Sequence, residues 1–347
     1  MKIVNKIKEF WNKRILPFLK DPLFLSKWEE EYSRSREDSG RITSWVNGGY
    51  RTLIGKDKYQ GDLFMFVEDM HLRSIPFSRY DDINFTANIT PENSELEQVV
   101  ANSISNKDFH HGLTESLEEF IRDGSQMLFS HAELFYEIEC DHDEEGKITK
   151  LNFHFIWSLT MKKIFGTYFQ IIPWSAAKHA RVKAGIRYVP REKILHITPP
   201  KGLGGKRRLK RIIRRLASLS SVVMPDFQMK AMEKNESVGF DIDVYTKRKY
   251  MEKAILTKPY GWNQRQYQDN NILEYYSMHR YLTQAMAMAA VRKHIVDKLN
   301  EALNGSYINA GASIVLEGLP TKESLLGEYE KLTKGNLKFV DLIKRHA

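Results

Sequence analysis

The chain has 347 residues, with 53 Lys and Arg against 44 Asp and Glu, a formal net charge of +9 and 42% hydrophobic residues. That apolar share supports a sizeable core in about two domains or one elongated subunit, and the basic balance points to an acidic partner. The single cysteine, Cys140, excludes an intramolecular disulfide and a cysteine metal cluster, and no apolar run is long enough to read as a membrane span.

Residues 1–19 carry Ile3, Ile7, Phe10, Trp11, Ile15 and Phe18 interleaved with Lys2, Lys6, Lys8, Lys13 and Arg14. This pattern predicts a basic amphipathic helix rather than a signal peptide, packed on protein or, alternatively, laid on a membrane. Pro17 and Pro22 end it, and residues 23–37 read as a second, mostly polar helix. Residues 40–79 give no clear period. Residues 78–93 read as a loop that ends in a helix start, with Pro91 of Thr90-Pro91-Glu92 in the first turn and the helix running to about Asn106. Residues 113–131 read as a helix on the spacing of Leu113, Leu117, Phe120, Ile121 and Leu128. The period then changes to two. Strands over 133–139 and 148–157 flank the acidic turn Asp141-His142-Asp143-Glu144-Glu145-Gly146 and predict a hairpin. Short strands over 165–173, 186–189 and 194–197 complete a β-rich module.

The stretch Lys206-Arg207-Arg208-Leu209-Lys210-Arg211-Ile212-Ile213-Arg214-Arg215 follows a breaker-rich run that ends in Gly202-Leu203-Gly204-Gly205. Leu209, Ile212, Ile213, Leu216, Leu219 and Val223 recur at helical spacing, and the cations occupy the rest of the circumference. Cations in the first turns oppose the helix dipole, so a partner outside the helix must favour them: phosphates, a lipid surface or carboxylates of a neighbouring chain. The plainer alternative is a solvated charged face on a core helix. Beyond it, Pro225 kinks the helix or opens a segment over 226–235, residues 238–245 alternate as a strand, and 247–253 read as helical. Tyr260-Gly261-Trp262-Asn263 is a turn. The longest element spans 272–304, roughly 45 Å at 1.5 Å per residue, and Gly305 ends it. A strand over 313–316 and a helix over 322–331 follow.

Weighed as chemistry, these features suggest no catalysis. The acidic turn resembles the opening of a calcium loop, but Asn152 stands where the bidentate acid belongs, so a hairpin turn is the better reading. Gly202–Lys206 lacks the spacing of a nucleotide-binding loop, although a glycine turn before a helix can offer backbone N–H groups to an anion. His110-His111 with Glu115 has no second cluster to complete a metal shell. His154 and His196 read as satisfied histidines rather than ligands or bases. The expectation is a protein without a cofactor, a metal or an enzymatic activity.

From residue 113 onward the order of pieces resembles the portal proteins of tailed bacteriophages. The pieces are Ile121 to Gly124, Ala132-Glu133-Leu134-Phe135-Tyr136-Glu137-Ile138, Glu144-Glu145-Gly146-Lys147-Ile148, Ile194-Leu195-His196-Ile197, the glycine run 202–205 and the helix from Lys206. The resemblance covers roughly residues 113–245 and the long helix after them. The basic run departs from the apolar sequence expected there, and the chain ends without a long helical crown. The resemblance implies an α+β, portal-like elongated subunit. Its parts would be a wing over 1–205, a first stem helix over 206–235, a clip over 236–271, a second stem helix over 272–304 and a C-terminal wing or crown region over 305–347. It implies a ring, expected to be a dodecamer, at a capsid vertex of the virion and assembled in the host cytoplasm. Double-stranded DNA would pass through it, and the major capsid protein, the terminase and a head-tail adaptor would dock on it. Lys206, Arg207, Arg208, Lys210, Arg211, Arg214 and Arg215 are the candidate contacts to DNA or another acidic partner. The apolar stripes of the two stem helices would be completed by neighbouring copies. The alternatives are a basic, non-specific nucleic-acid-binding protein and a peripheral membrane protein using residues 1–19 and 206–215.

Overall fold

The computed structural model describes residues 33–36, 41–44, 62–75, 85–105, 112–156, 158, 160–172, 184–221, 242–262, 274–338 and 341. It is a mixed α+β protein of helices and small antiparallel sheets. The chain forms two compact units. The first comprises Met1–Lys56, Thr86–Thr198 and Ile295–Glu317; the second comprises Asp57–Phe85, Pro199–His294 and Gly318–Ala347. The expected helix over 1–19 lies outside the described residues.

In the first unit, β1 (Ser33–Arg36), inside the 23–37 stretch read as a polar helix, pairs antiparallel with β2 (Arg41–Ser44), which lies where the sequence gave no clear period. Strand β3 (Thr86–Thr90) pairs with β10 (Ser313–Glu317), so Thr90-Pro91 closes a strand instead of opening a helix. Helix α2 (Ser94–Ile104) starts after Pro91, with the Asn93 side chain accepting from the Leu96 N–H at 3.0 Å. An Asn cap satisfies an otherwise orphaned first-turn amide, which explains why the helix begins there. Helix α3 (Leu113–His131) ends in a left-handed Ala132 and leads directly into β4 (Leu134–His142).

β4 is the centre strand of the sheet β5-β4-β9, formed with β5 (Ile148–Ile156) and β9 (Ile194–Ile197). Its residues alternate between two covered faces. Tyr136 meets Phe120 of α3 on one face, with ring centroids 5.0 Å apart. Phe135 joins Ile156, Met161, Tyr168 and Val189 on the other. A strand covered on both sides accounts for the near-continuous burial of Leu134 to Ile138. The second cluster comes from a three-stranded sheet of β6 (Met161–Ile164), β7 (Thr167–Ile172) and β8 (Gly185–Val189) in the order β6-β7-β8. The sequence reading ran one strand from 165; here Phe165 and Gly166 are instead the tip of the β6–β7 hairpin.

In the second unit, α1 (Asp62–Leu72) packs on α4 (Gly205–Ser221), which in turn meets α5 (Ile242–Thr257). The alternation over 238–245 suggested a strand, yet from Ile242 onward the chain is helical; 238–241 lie outside the described residues. The first expected stem helix, 206–235, is described as α4 as far as Ser221. The second, 272–304, is α6 (Glu274–Leu303), whose last residues from Ile295 belong to the first unit. Gly261 lies against α6: a Cβ there would fall 2.5 Å from both Arg280 O and Gln284 N, and its φ is +61°. Only glycine fits such a site. Trp262 beside it donates from Nε1 to Asp69 Oδ2 at 2.7 Å and meets Phe66 edge-on at 5.4 Å. Helix α7 (Lys322–Thr333) packs Leu325 and Leu332 against Met278, Leu282 and Ala289 of α6. Arg292 is buried and donates to Ser74 O at 3.1 Å and Pro320 O at 2.7 Å; desolvation pulls its pKa down to about 10.

The two stem stripes differ from expectation. Leu209, Ile212, Ile213 and Leu216 of α4 are each 0% exposed in the single chain. On α6, Met288, Ala289, Ile295, Val296, Leu299 and Leu303 are buried as well. Over the described residues these stripes are covered by their own chain, so no neighbouring copy is needed to complete them.

Candidate polyanion-binding face

The basic helix is launched by a tight turn. Pro199-Pro200 leads into a 3-10 turn, Lys201–Leu203, and Gly204 follows with φ +89°. A Cβ at Gly204 would sit 2.3 Å from Arg208 Cδ, so the absent side chain leaves room for the arginine stem. The turn uses its own amides: Leu203 N–H donates to Pro200 O at 3.0 Å, Gly204 N–H to Lys201 O at 2.9 Å, and Gly205 N–H to Pro200 O at 3.2 Å. The glycine loop therefore does not hold these three donors out to an anion, as its sequence suggested.

At about 100° per residue, the buried residues Leu209, Ile212, Ile213, Leu216 and Ala217 occupy an arc of roughly 140°. Arg207, Arg208, Arg211, Arg214 and Arg215 are exposed and occupy an opposing arc of about 120°. Lys210 lies half-buried on the border between the two, and Lys206, at the start of the helix, is half-buried at the edge of the apolar arc. The structure thus brings the five arginines of the sequence-derived set to one solvent face and places the two lysines beside it.

Two of the five arginines have identified neighbours in their own unit. Arg215 donates from Nε to Glu252 Oε1 of α5, and that hydrogen bond raises its pKa. Arg208 lies close enough to Tyr260 to oppose the burial that pushes the phenol's pKa up. Glu252 was not foreseen, because a contact across 37 residues leaves no local signal. Neither neighbour closes off the face. Arg207, Arg211 and Arg214 follow i, i+4, i+7 spacing, which aligns them along the helix.

The other sites singled out from sequence resolve as structure. Asp143 Oδ1 accepts from the N–H groups of Glu145 at 3.0 Å and Lys147 at 2.8 Å, so the acidic turn is an Asx-stabilised hairpin connection. His154 lies 3.1 Å from Glu139 Oε2. His196 Nε2 is 3.3 Å from Glu133 Oε2, its Nδ1 is 3.1 Å from Tyr168 OH, and its ring stacks on Phe135 at 4.3 Å. That bridge ties β9 to β7 and was not legible from three residues scattered over the sequence. It borders a cavity of about 550 Å³ in the first unit, also lined by Arg191, Glu192, Lys298 and Glu301. His110 and His111 lie outside the described residues; among those described, no three His, Cys, Asp or Glu gather as a metal would require. Likewise, no described helix is long and apolar enough to cross a membrane.

No protein-family model matches the chain, and it matches no curated protein.

Proposed function

We propose that the chain is the subunit of a ring-forming, portal-type conduit for double-stranded DNA at a capsid vertex, a structural role without a catalytic step. The observation that carries this reading is the arc of five exposed arginines backed by a fully buried stripe. A helix presenting guanidinium groups suits phosphate contact, which passage of any sequence requires. The order of elements supports the same reading. Helix α3, the β4–β5 hairpin, β9, the glycine turn, the basic helix and the 30-residue α6 follow one another as the portal resemblance implies. In this proposal the ring is a dodecamer that binds the major capsid protein, the terminase and a head-tail adaptor, within the virion after assembly in the host cytoplasm.

A second reading is favoured by a specific observation: the described stripes of both stem helices are already covered within one chain. A non-specific nucleic-acid-binding monomer or dimer would need no more than that. A membrane role for residues 206–215 gains less, because the apolar side of α4 is buried and only its charge would face lipid. Size-exclusion chromatography with light scattering separates the first two. A dodecamer of this 40.6 kDa chain has a mass of about 490 kDa. A particle near that mass supports the ring, and a monomer or dimer at high concentration removes it.

A further inference from the structure

The 46 residues 146–191 contain nine Lys and Arg and no Asp or Glu. The remaining 44 Lys and Arg of the chain are balanced by its 44 Asp and Glu, so this segment holds the whole net charge of +9. It includes β5 and all of the sheet β6-β7-β8. Across that sheet the register aligns Lys162, Phe169 and Tyr188. Their sequence neighbours Tyr168 and Val189 point into the core cluster, so Lys162, Phe169 and Tyr188 lie on the opposite, outer face. Tyr188 is 57% exposed and meets Phe169 edge-on, with centroids 6.1 Å apart.

At the end of this face, the hairpin tip departs from turn chemistry. Phe165 and Gly166 are the two central residues of the turn, with φ +48° and +83°, and Ile164 pairs with Thr167 on either side. Positive φ at both positions is the type I′ arrangement, which favours Asn or Asp at the first. Phenylalanine there is strained, and the side chain is fully exposed at 102%. The folded chain gains nothing from a strained backbone that holds an apolar ring in water. A contact with a partner would account for it. Lys162, exposed, lies on the outer face near the ring, whereas Lys163 pairs with Tyr168 and its ammonium sits over that ring at 4.9 Å.

We propose that the outer face and tip of the sheet β6-β7-β8 form a binding platform for single-stranded nucleic acid. Phe165 and Tyr188 stack on bases, and Lys162 contacts phosphate. Aromatic rings beside a cation on an acid-free sheet face match both parts of a single strand, its π-faces and its charge. A bilayer fits less well: the tip offers one bulky apolar residue, and insertion past it would desolvate two lysines. Paired bases in a duplex are not available to stack. The site shares no residue with the arginine arc and does not depend on ring formation.

The test uses the full chain, a labelled oligo-dT of about 20 nucleotides and a duplex of equal length, at about 0.3 M salt, where phosphate contacts alone are weak. Phe165→Asn installs the residue the turn prefers, so its melting temperature should equal or exceed that of the parent. With the fold intact, Phe165→Asn and Tyr188→Ala should each weaken oligo-dT binding about tenfold while leaving duplex binding and particle mass unchanged. Unchanged oligo-dT affinity in both variants would overturn the platform. So would equal losses on duplex, or binding to phosphatidylserine vesicles, but not to oligo-dT, that Phe165→Asn abolishes.

Discussion

Replacing Arg207, Arg211 and Arg214 together with Gln removes three of the five arginines of the arc. Along α4, Arg207 to Arg215 spans eight residues, about 12 Å at 1.5 Å each. One DNA strand advances about 3.4 Å per phosphate, so the arc faces three to four phosphates. Arg208 is packed over Gly204 and Arg215 is paired to Glu252, which leaves these three as the principal contacts. Each neutralised phosphate contributes about 0.9 to the slope of log K against log salt, so the triple variant should lose about 2.7 per subunit. Between 50 and 200 mM salt, the parent should therefore lose about 40-fold more affinity than the variant. The three side chains are exposed, so the melting temperature should hardly move. Fluorescence anisotropy on a 30-base-pair duplex across that salt range measures the slope. Identical slopes in a folded variant would show that the arc does not meet phosphates.

Two further predictions concern the second unit. Gly261→Ala forces a Cβ to within 2.5 Å of the α6 backbone at a left-handed φ, and should cost about 3 kcal/mol, seen as a drop of roughly 10 °C in a thermal melt; an unchanged melt would mean that the turn does not press on α6 as described. His279, hydrogen-bonded to Tyr329 of α7, has its pKa lowered by burial and then by Arg280 and Lys258. Because the folded state binds fewer protons than the unfolded chain below its usual value of 6.5, its contribution is full above that pH and fades as pH falls through the depressed value. Melts between pH 7.5 and 5 should show the parent losing more stability than His279→Gln, and parallel curves would remove His279 as the cause.

Some of this architecture was legible in the residues and some was not. Helix α3 came through with its bounds intact because Leu113, Leu117, Phe120, Ile121 and Leu128 hold a strict stripe over 19 residues. The β4–β5 hairpin was equally clear, since alternation on both sides of an acidic Gly-ended turn has one reading. The β6–β7 turn was missed because phenylalanine stands where a turn residue is expected, a local rule broken at the one tip that carries a functional proposal. Helix α5 was misread because the few alternating residues from Ile242 to Tyr245 are too short a stretch to set a period, and they open a 16-residue helix. Residues 33–36 are polar and gave no strand period, yet they pair with β2. The arginine face was visible as a pattern, but its backing was not. Periodicity tells that Leu209, Ile212, Ile213 and Leu216 face something apolar; it does not tell whether that cover belongs to the same chain. The Glu252 partner and the Glu133–His196–Tyr168 bridge join residues far apart in sequence, and no spacing rule reaches them.

The described parts of both stripes are buried within one chain, so the proposed ring would have to close through other surfaces, and negative-stain imaging of the purified protein tests the proposal most directly. The account predicts annular particles with a central hole wide enough for a duplex, present without added DNA. A uniform field of small solid particles at concentrations that saturate self-association would contradict it.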